Sequence, residues 1–233
     1  MKKRVLLKIS GEALMGNLEY GIDQNYMDDL VKKIIDIKNS GVEVAVVLGG
    51  GNIFRGVKGI SAGMDAVSAH HMGMLAIHIN GVAFTEAIRR AGGKTVMFSP
   101  FDIPMVSEKL NKYKALEYLQ DNKILVFVGG AGIPYFTSDT SGVLSALEIE
   151  ADMIIKATQV DGLYDKDPNK YDDAQMIEEA TYEEVISENL KVMDTSAFAM
   201  ARDNNLEIRI VSLNKDGAIL RAINGEKEGS VIR

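Results

Sequence analysis

Two short runs, KRVLLKI (residues 3–9) and VEVAVVL (42–48), carry apolar residues at both odd and even positions. A strand that buries one face alternates apolar and polar residues, whereas a run apolar on both parities is buried on both faces. KTVMF (94–98), KILVFV (123–128), DMIIKAT (152–158) and LEIRIVS (206–212) are of the same kind. Helical spacing fills the intervals. Met27, Leu30, Val31, Ile34 and Ile35 fall at i, i+3, i+4, i+7 and i+8, with Asp23 as a cap and Ser40-Gly41 as a stop, which predicts a helix over 24–39. Further helices are predicted over 64–91, 106–120, 139–150, 181–189, 195–204 and 216–223, with a last strand near 230–232. Doubly buried strands joined through helices predict an α/β fold: a mainly parallel central sheet sandwiched by helices.

Ligands of such sheets bind beyond the carboxyl ends of the strands. That rule gathers four loops: Ser10-Gly11, Gly49–Arg55, Gly129–Ser138 and Thr158–Asp167. In VVLGGGNIFR (46–55), three glycines followed by Asn52 and Arg55 predict an anionic guest held by main-chain amides, with Arg55 forking two of its oxygens. Lys8, two residues before the end of the first strand, could steady a transferred phosphoryl group. Strand periodicity alone allows the plainer reading, a lysine facing solvent. Thr137, Ser138, Asp139 and Thr140 open an apolar helix, where Ser138 or Asp139 could cap it and Asp139 could also organise Lys8 or a metal. In KATQVDGLYDKDP (156–168), Tyr164 could flank a nucleotide base, although an acidic surface turn has the same composition. Gly93-Lys94-Thr95 has the tail of a P-loop, but Ile88 stands where its first glycine belongs and a strand follows instead of a helix.

The net charge of −7 argues against general attraction to nucleic acid or an anionic membrane. There is no cysteine, so disulfides, thiolate metal sites and a cysteine nucleophile are excluded. The apolar run after MKKR is about four residues, far short of a signal-peptide core, and no apolar stretch approaches the roughly 20 residues of a membrane span. A cytoplasmic protein is expected. His70, His71 and His78 lack metal-ligand spacing.

KISGEAL, VVLGGGNIFRG, HMGMLA, IEADMIIKATQVDGLYDKDP and LKVMD together resemble the bacterial UMP kinases, of the amino acid kinase fold, and the similarity runs from residue 3 to the closing GEKEGSVI. The resemblance implies transfer of the ATP γ-phosphate to UMP with Mg2+ carried by ATP and no metal site made by protein side chains alone. It implies one domain over 1–233, its acceptor-binding part about 1–150 and its ATP-binding part about 151–233. Lys8, Ile9, Ser10, Gly11, Gly51 and Arg55 match ATP-phosphate contacts, and Thr158, Tyr164 and Asp167 match the adenosine loop. Gly50, the position of His70, and Ala131, Gly132, Ile133, Pro134, Tyr135, Phe136, Thr137 and Ser138 match UMP contacts. Asp139 and Asp194 match acidic residues at the reaction centre beside Lys8. Gly16, Asn17, Leu18, Glu19, Tyr20 and Gly21 match a region tied to GTP activation in some members. UTP inhibition and a homohexamer assembled through the long helix near 64–91 are implied too. Three positions depart from the pattern: His70 stands where relatives usually carry Asp, and GAGIP replaces GTGNP at Ala131 and Ile133. They leave open a kinase of the same fold with another acceptor, such as a different nucleotide or an acylated amino acid. A non-catalytic nucleotide-binding assembly is the third alternative.

Overall fold

The computed structural model describes residues 2–190 and 192–233. Its centre is a nine-stranded sheet of β1 (Arg4–Ile9), β2 (Glu43–Leu48), β3 (Thr95–Ser99), β4 (Glu108–Lys109), β5 (Ile124–Phe127), β6 (Met153–Thr158), β9 (Glu179–Ala180), β10 (Glu207–Ser212) and β11 (Ser230–Ile232). The order is β4-β3-β5-β2-β1-β6-β10-β11-β9, and only the β10–β11 pair is antiparallel. A separate ribbon pairs β7 (Leu163–Tyr164) with β8 (Met176–Ile177).

Alternate residues of each central strand enter different cores. Val5, Leu7 and Ile9 face α1 (Gln24–Asn39), α3 (Ala66–Arg90) and α8 (Ala218–Ile223). Leu6, Ala45, Val47 and Ile154 face the opposite core, built with α4 (Lys112–Gln120), α5 (Ser138–Glu148), α6 (Tyr182–Ser187) and α7 (Thr195–Asp203). Both parities are apolar because both faces are covered. Lys8 and Lys156 share the parity of Leu6 and Ile154, so the pattern places two charged side chains on the α5 side.

Several predicted bounds shift. The helix expected over 64–91 runs 66–90, capped by the Asp65 carboxylate on the Ser68 amide, and a separate short helix, α2 (Gly56–Ser61), precedes it. The helix expected over 106–120 starts only at Lys112, where the Asn111 side chain accepts from the Lys114 amide; Glu108-Lys109 instead extends the sheet edge beside β3. The stretch expected as helix over 181–189 is helical only over 182–187, inside a capping box of Thr181 and Glu184. The helix near 216–223 begins at Ala218, after Gly217 at φ 72°. Strands of two residues, such as those of the β7–β8 ribbon, are too short for periodicity to register.

Candidate active site

β1 and β6 are parallel neighbours, and Lys8 is the register partner of Lys156. Both ammonium groups converge on the carboxylate of Asp139 in the first turn of α5: Lys8 Nζ lies 2.8 Å from Oδ1 and Lys156 Nζ 3.0 Å from Oδ2. The Lys8 residue is 5% exposed, which rejects the solvent-facing reading. Close approach of α5 makes this possible. A Cβ at Gly142 would stand 3.6 Å from Lys8 Cγ and 3.2 Å from Ile154 Cδ1, so the glycine lets the helix lie directly on the lysine stem.

The electrostatics follow from burial and charge together. Burial alone would raise the Asp139 pKa, but the Lys8 and Lys156 ammonium groups outweigh it and hold the carboxylate below its usual range. Lys156 is pushed below the usual lysine range by burial first and by repulsion from Lys8 second, with Asp139 opposing. Lys156 also donates to the Val192 carbonyl.

Asp194 precedes α7 but caps nothing with its own side chain. Its Oδ2 accepts from the Thr137 hydroxyl and, at 2.9 Å, from Thr140 Oγ1; Thr140 is also bonded to Ser196 Oγ at 2.8 Å. Thr137 accepts from the Asp139 amide, so Thr137, rather than Ser138 or Asp139, caps α5. These bonds tie the amino ends of α5 and α7 together beside the lysines. The positive ends of both helix dipoles therefore point into the same corner.

Three cavities lie around this corner. One of about 400 Å3 is lined by Asp139, Lys156, Asp194 and Phe198 among others. A second, about 460 Å3, is lined by Tyr164, Asp167 and the rest of the 162–170 loop, and shares Asn189, Leu190 and Val192 with the first. A third, about 220 Å3, is lined by Gly50, Gly51, Phe54, His70, Phe136 and Ser138 among others. Ser138, which lines the third cavity, is the chain neighbour of Asp139 in the charged centre.

The glycine turns have neighbours of their own. A Cβ at Gly49 would lie 2.6 Å from the Gly11 nitrogen, one at Gly11 would lie 2.6 Å from the Gly51 nitrogen, and one at Gly51 would lie 2.5 Å from Glu12 Oε1. The missing side chains thus let the Ser10-Gly11 and Gly49–Gly51 turns touch. The main chain forces the glycines whether or not a guest is bound. Ile9 and Ser10 lead into that contact; the Ser10 side chain accepts from the Ala13 amide. Asn52, expected to meet an anion, is 1% exposed and points inward to Asn80 and to the Gly21 carbonyl. Arg55 is half-exposed and paired with Glu12 at 2.8 Å.

Other sequence candidates scatter more widely. Ala131, Gly132, Ile133, Pro134 and Tyr135 do not line the cavity that holds Phe136 and Ser138; Ile133 and Tyr135 are exposed, and the Tyr135 ring packs on His70 with centroids 4.9 Å apart. The Thr158 hydroxyl donates to the Val160 carbonyl. Asp167 accepts from the Asn169 amide and pairs with Lys170. Gly16 through Gly21 lines none of the three cavities, and Leu18 and Tyr20 are exposed. Gly93-Lys94-Thr95 runs into β3, whose first residue is Thr95, at the amino edge of the sheet and away from this centre, where Gly93 and Lys94 bound a different cavity. Among the described residues no three His, Cys, Asp or Glu side chains cluster as a metal cage. Lys156 escaped the sequence reading, although IIKA repeats the LLKI pattern of a lysine inside an apolar strand. Gly142 gave no signal that sequence could register.

The molecule is a doubly covered parallel α/β protein with a buried cationic centre at the carboxyl ends of its middle strands. The amino acid kinase family matches residues 3–212, and the chain belongs to that family. It is 45% identical over 231 residues to "Uridylate kinase" of Xanthomonas oryzae pv. oryzae, covering 99% of this chain and 96% of the relative. It is 45% identical over 229 residues to "Uridylate kinase" of Haemophilus ducreyi, covering 98% and 97%. The solved UMP kinase of Bacillus anthracis superposes with TM-score 0.95 at 32% identity over 99% of this chain and 96% of that one. The UMP kinase of Ureaplasma parvum gives TM-score 0.91 at 32% identity, covering 100% and 99%.

Proposed function

We propose that this chain transfers the γ-phosphoryl group of ATP to UMP, giving ADP and UDP for pyrimidine nucleotide synthesis. The observation that carries the reading is the convergence of Lys8 and Lys156 on Asp139 between two cavities, one on the side of the 162–170 loop and one beside Gly50, Gly51 and His70. ATP takes the first, with adenosine against Tyr164 and the loop through Thr158 and Asp167. Its phosphates run toward Ser10, Gly11 and Gly51, and Arg55 leaves Glu12 to meet them. UMP takes the second, its phosphate near Gly50 and Ser138. The P–O bond between the β-oxygen and the γ-phosphorus breaks as a UMP phosphate oxygen bonds that phosphorus in line. A phosphate nucleophile is already ionised, so no general base is needed. Lys8 and Lys156 neutralise charge on the transferring group, Asp139 holds both ammonium groups in place, and Asp194 fixes the two helix ends. Asp139 and Asp194 are the carboxylates beside the path of the phosphoryl group that would hold a magnesium ion carried in by ATP, and the ion would supply charge neutralisation on the phosphate oxygens. One or two carboxylates beside substrate phosphates suit that ion.

The same reading divides the chain into an acceptor part (about 1–150) and an ATP part (about 151–233). It includes a homohexamer seated on the exposed stripe of Met72, Leu75, Ile79 and Val82 along α3, a cytoplasmic location, activation by GTP through residues 16–21 and inhibition by UTP. Among the described residues no helix is long and apolar enough to cross a membrane. One observation favours a second acceptor. His70 is the one ionisable side chain lining the acceptor cavity among the described residues, so base and sugar meet few side-chain hydrogen bonds there. ADP release is measured with MgATP and a panel of UMP, dUMP, CMP, AMP and an acylated amino acid. Turnover with UMP, and a loss of about 10²–10³ in kcat for Lys8→Ala, is the expected result. A better acceptor than UMP moves the assignment to the second reading. Full activity of Lys8→Ala, or no turnover on any acceptor, overturns the mechanism.

A further inference from the structure

Beneath the Gly49–Gly51 turn lies a buried pair of amides that the reaction scheme does not use. Asn52 is 1% exposed and Asn80, midway along α3, is fully buried. They bond reciprocally: Asn52 Nδ2 donates to Asn80 Oδ1 at 2.9 Å, and Asn80 Nδ2 to Asn52 Oδ1 at 2.7 Å. Each has a second main-chain partner. Asn80 Nδ2 reaches the Gly49 carbonyl at 2.7 Å, and Asn52 Nδ2 reaches the Gly21 carbonyl at 2.9 Å, while the Gly21 amide returns to the Asn52 carbonyl at 3.0 Å. Asn52 Oδ1 also lies under Gly11, where a Cβ would approach it to 2.5 Å. Four segments meet at two side chains: the Ser10-Gly11 turn, the end of the 16–21 loop, the glycine turn and α3.

Glycine turns have no side chains with which to anchor themselves, and their main chain samples many conformations when untethered. A buried side-chain amide is costly unless all its groups are bonded, so an apolar pair would be the simpler filling for a helix–sheet interface. We propose that Asn52 and Asn80 are positioning residues for phosphoryl transfer: they fix the angle of the Gly49–Gly51 turn against Gly11, and so the direction of the amides that face the phosphates. The proposal rests on the reading above that these turns hold the ATP phosphates. The two amides hydrogen-bond each other and the Gly21 and Gly49 carbonyls rather than Lys8 or a cavity side chain, so they act through main-chain geometry.

Asn80→Leu takes the Asn80 donor from Asn52 Oδ1 and from the Gly49 carbonyl, while Asn52 Nδ2 keeps the Gly21 carbonyl, and lowers Tm; the double variant Asn52→Leu/Asn80→Leu removes both amides and recovers part of that loss. A mild third variant, Asn80→Ser, leaves room for a water and folds under the least disturbance. Steady-state kinetics with MgATP and UMP are read beside Tm for all three. The expected result is a fall in kcat of about 10–10²-fold in every folded variant, since an ångström of misplacement costs on that order. KM for ATP stays within about threefold of the unaltered protein, because the adenosine loop is remote. The fall persists in the double variant although Tm recovers. A kcat that returns with Tm, or stays within about threefold of the unaltered protein in any folded variant, overturns the proposal. Absence of UMP-dependent turnover in the unaltered protein is a failure of the functional reading instead, and is seen before any variant is made.

Discussion

Replacing Asp139 by Asn removes the one negative charge between two buried ammonium groups. The Lys8 contact alone, at 2.8 Å, corresponds to roughly 6 kcal/mol of attraction at an effective dielectric constant of about 20, before desolvation is set against it. Breaking a buried ion pair by removing one partner destabilises by about 3–5 kcal/mol, because the remaining charge stays buried. Here two charges remain, and they repel each other. A shift of about 2–4 °C per kcal/mol for a chain of this size turns that loss into a Tm lowered by about 6–20 °C at pH 7. The pH dependence has a definite direction. The folded-state pKa of Asp139 lies below its unfolded value, so its contribution is complete above about pH 4 and is lost as pH falls through the folded pKa. The gap between the unaltered protein and Asp139→Asn is therefore constant from about pH 5 to 8 and narrows in strong acid. Differential scanning calorimetry across that range measures it. A variant whose Tm stays within about 2 °C at pH 7 would show that the lysines are not held by this carboxylate, and the account of the centre would fall.

Two other perturbations probe the same corner. Lys156→Met keeps Asp139 paired with Lys8, so kcat should fall by about 10–10²-fold with Tm nearly unchanged; in the unaltered protein the alkaline fall in rate should begin below the ordinary lysine range, near 10.4, because burial and then Lys8 depress Lys156, and a pH–rate profile of the Met variant should lack that limb. Gly11→Ala forces a methyl to 2.6 Å from the Gly51 nitrogen and 2.5 Å from Asn52 Oδ1, both fixed by main chain or burial, so it should cost about 1–3 kcal/mol in urea denaturation; an alanine variant as stable as the unaltered chain would mean the two turns are not in contact.

What was legible in the sequence was whatever repeats along the chain. The doubly apolar strands specified a covered parallel sheet because both parities of Val5–Ile9 and Val44–Leu48 enter cores. The rule about strand ends then brought Lys8, Gly51, Ser138 and Asp139 near one another. Pairing across the sheet was not legible. Lys156 lies 148 residues from Lys8 in number but opposite it in register, and only knowledge of strand order joins them. The conformation of 131–135 was not legible for a different reason: in the loop before α5, Gly132 and Tyr135 adopt positive φ and Ile133 and Tyr135 are exposed, which no periodicity describes. The α5 cap made by Thr137 and its bond to Asp194 were not legible either, because Ser138 and Asp139 beside it are equally good capping residues.

The glycines carry the widest lesson. GGG was read as room for a guest, yet each of Gly49, Gly50 and Gly51 has protein atoms where its Cβ would stand: Gly11, the α3 carbonyl of Gly73, and Glu12 respectively. Space for phosphate does not require their absence of side chains; contact between turns does. That contact is nonetheless what a phosphate site needs. Amides held rigidly before the ligand arrives need no reorganisation as charge develops on the transferring group, whereas amides on a free turn would have to be ordered during the reaction. Here turn packs against turn, with buried amides beneath and α5 laid closely on Lys8 through Gly142. On the proposed function, the glycine signature and a phosphate cradle would coincide because one geometric cause, close main-chain approach, underlies both.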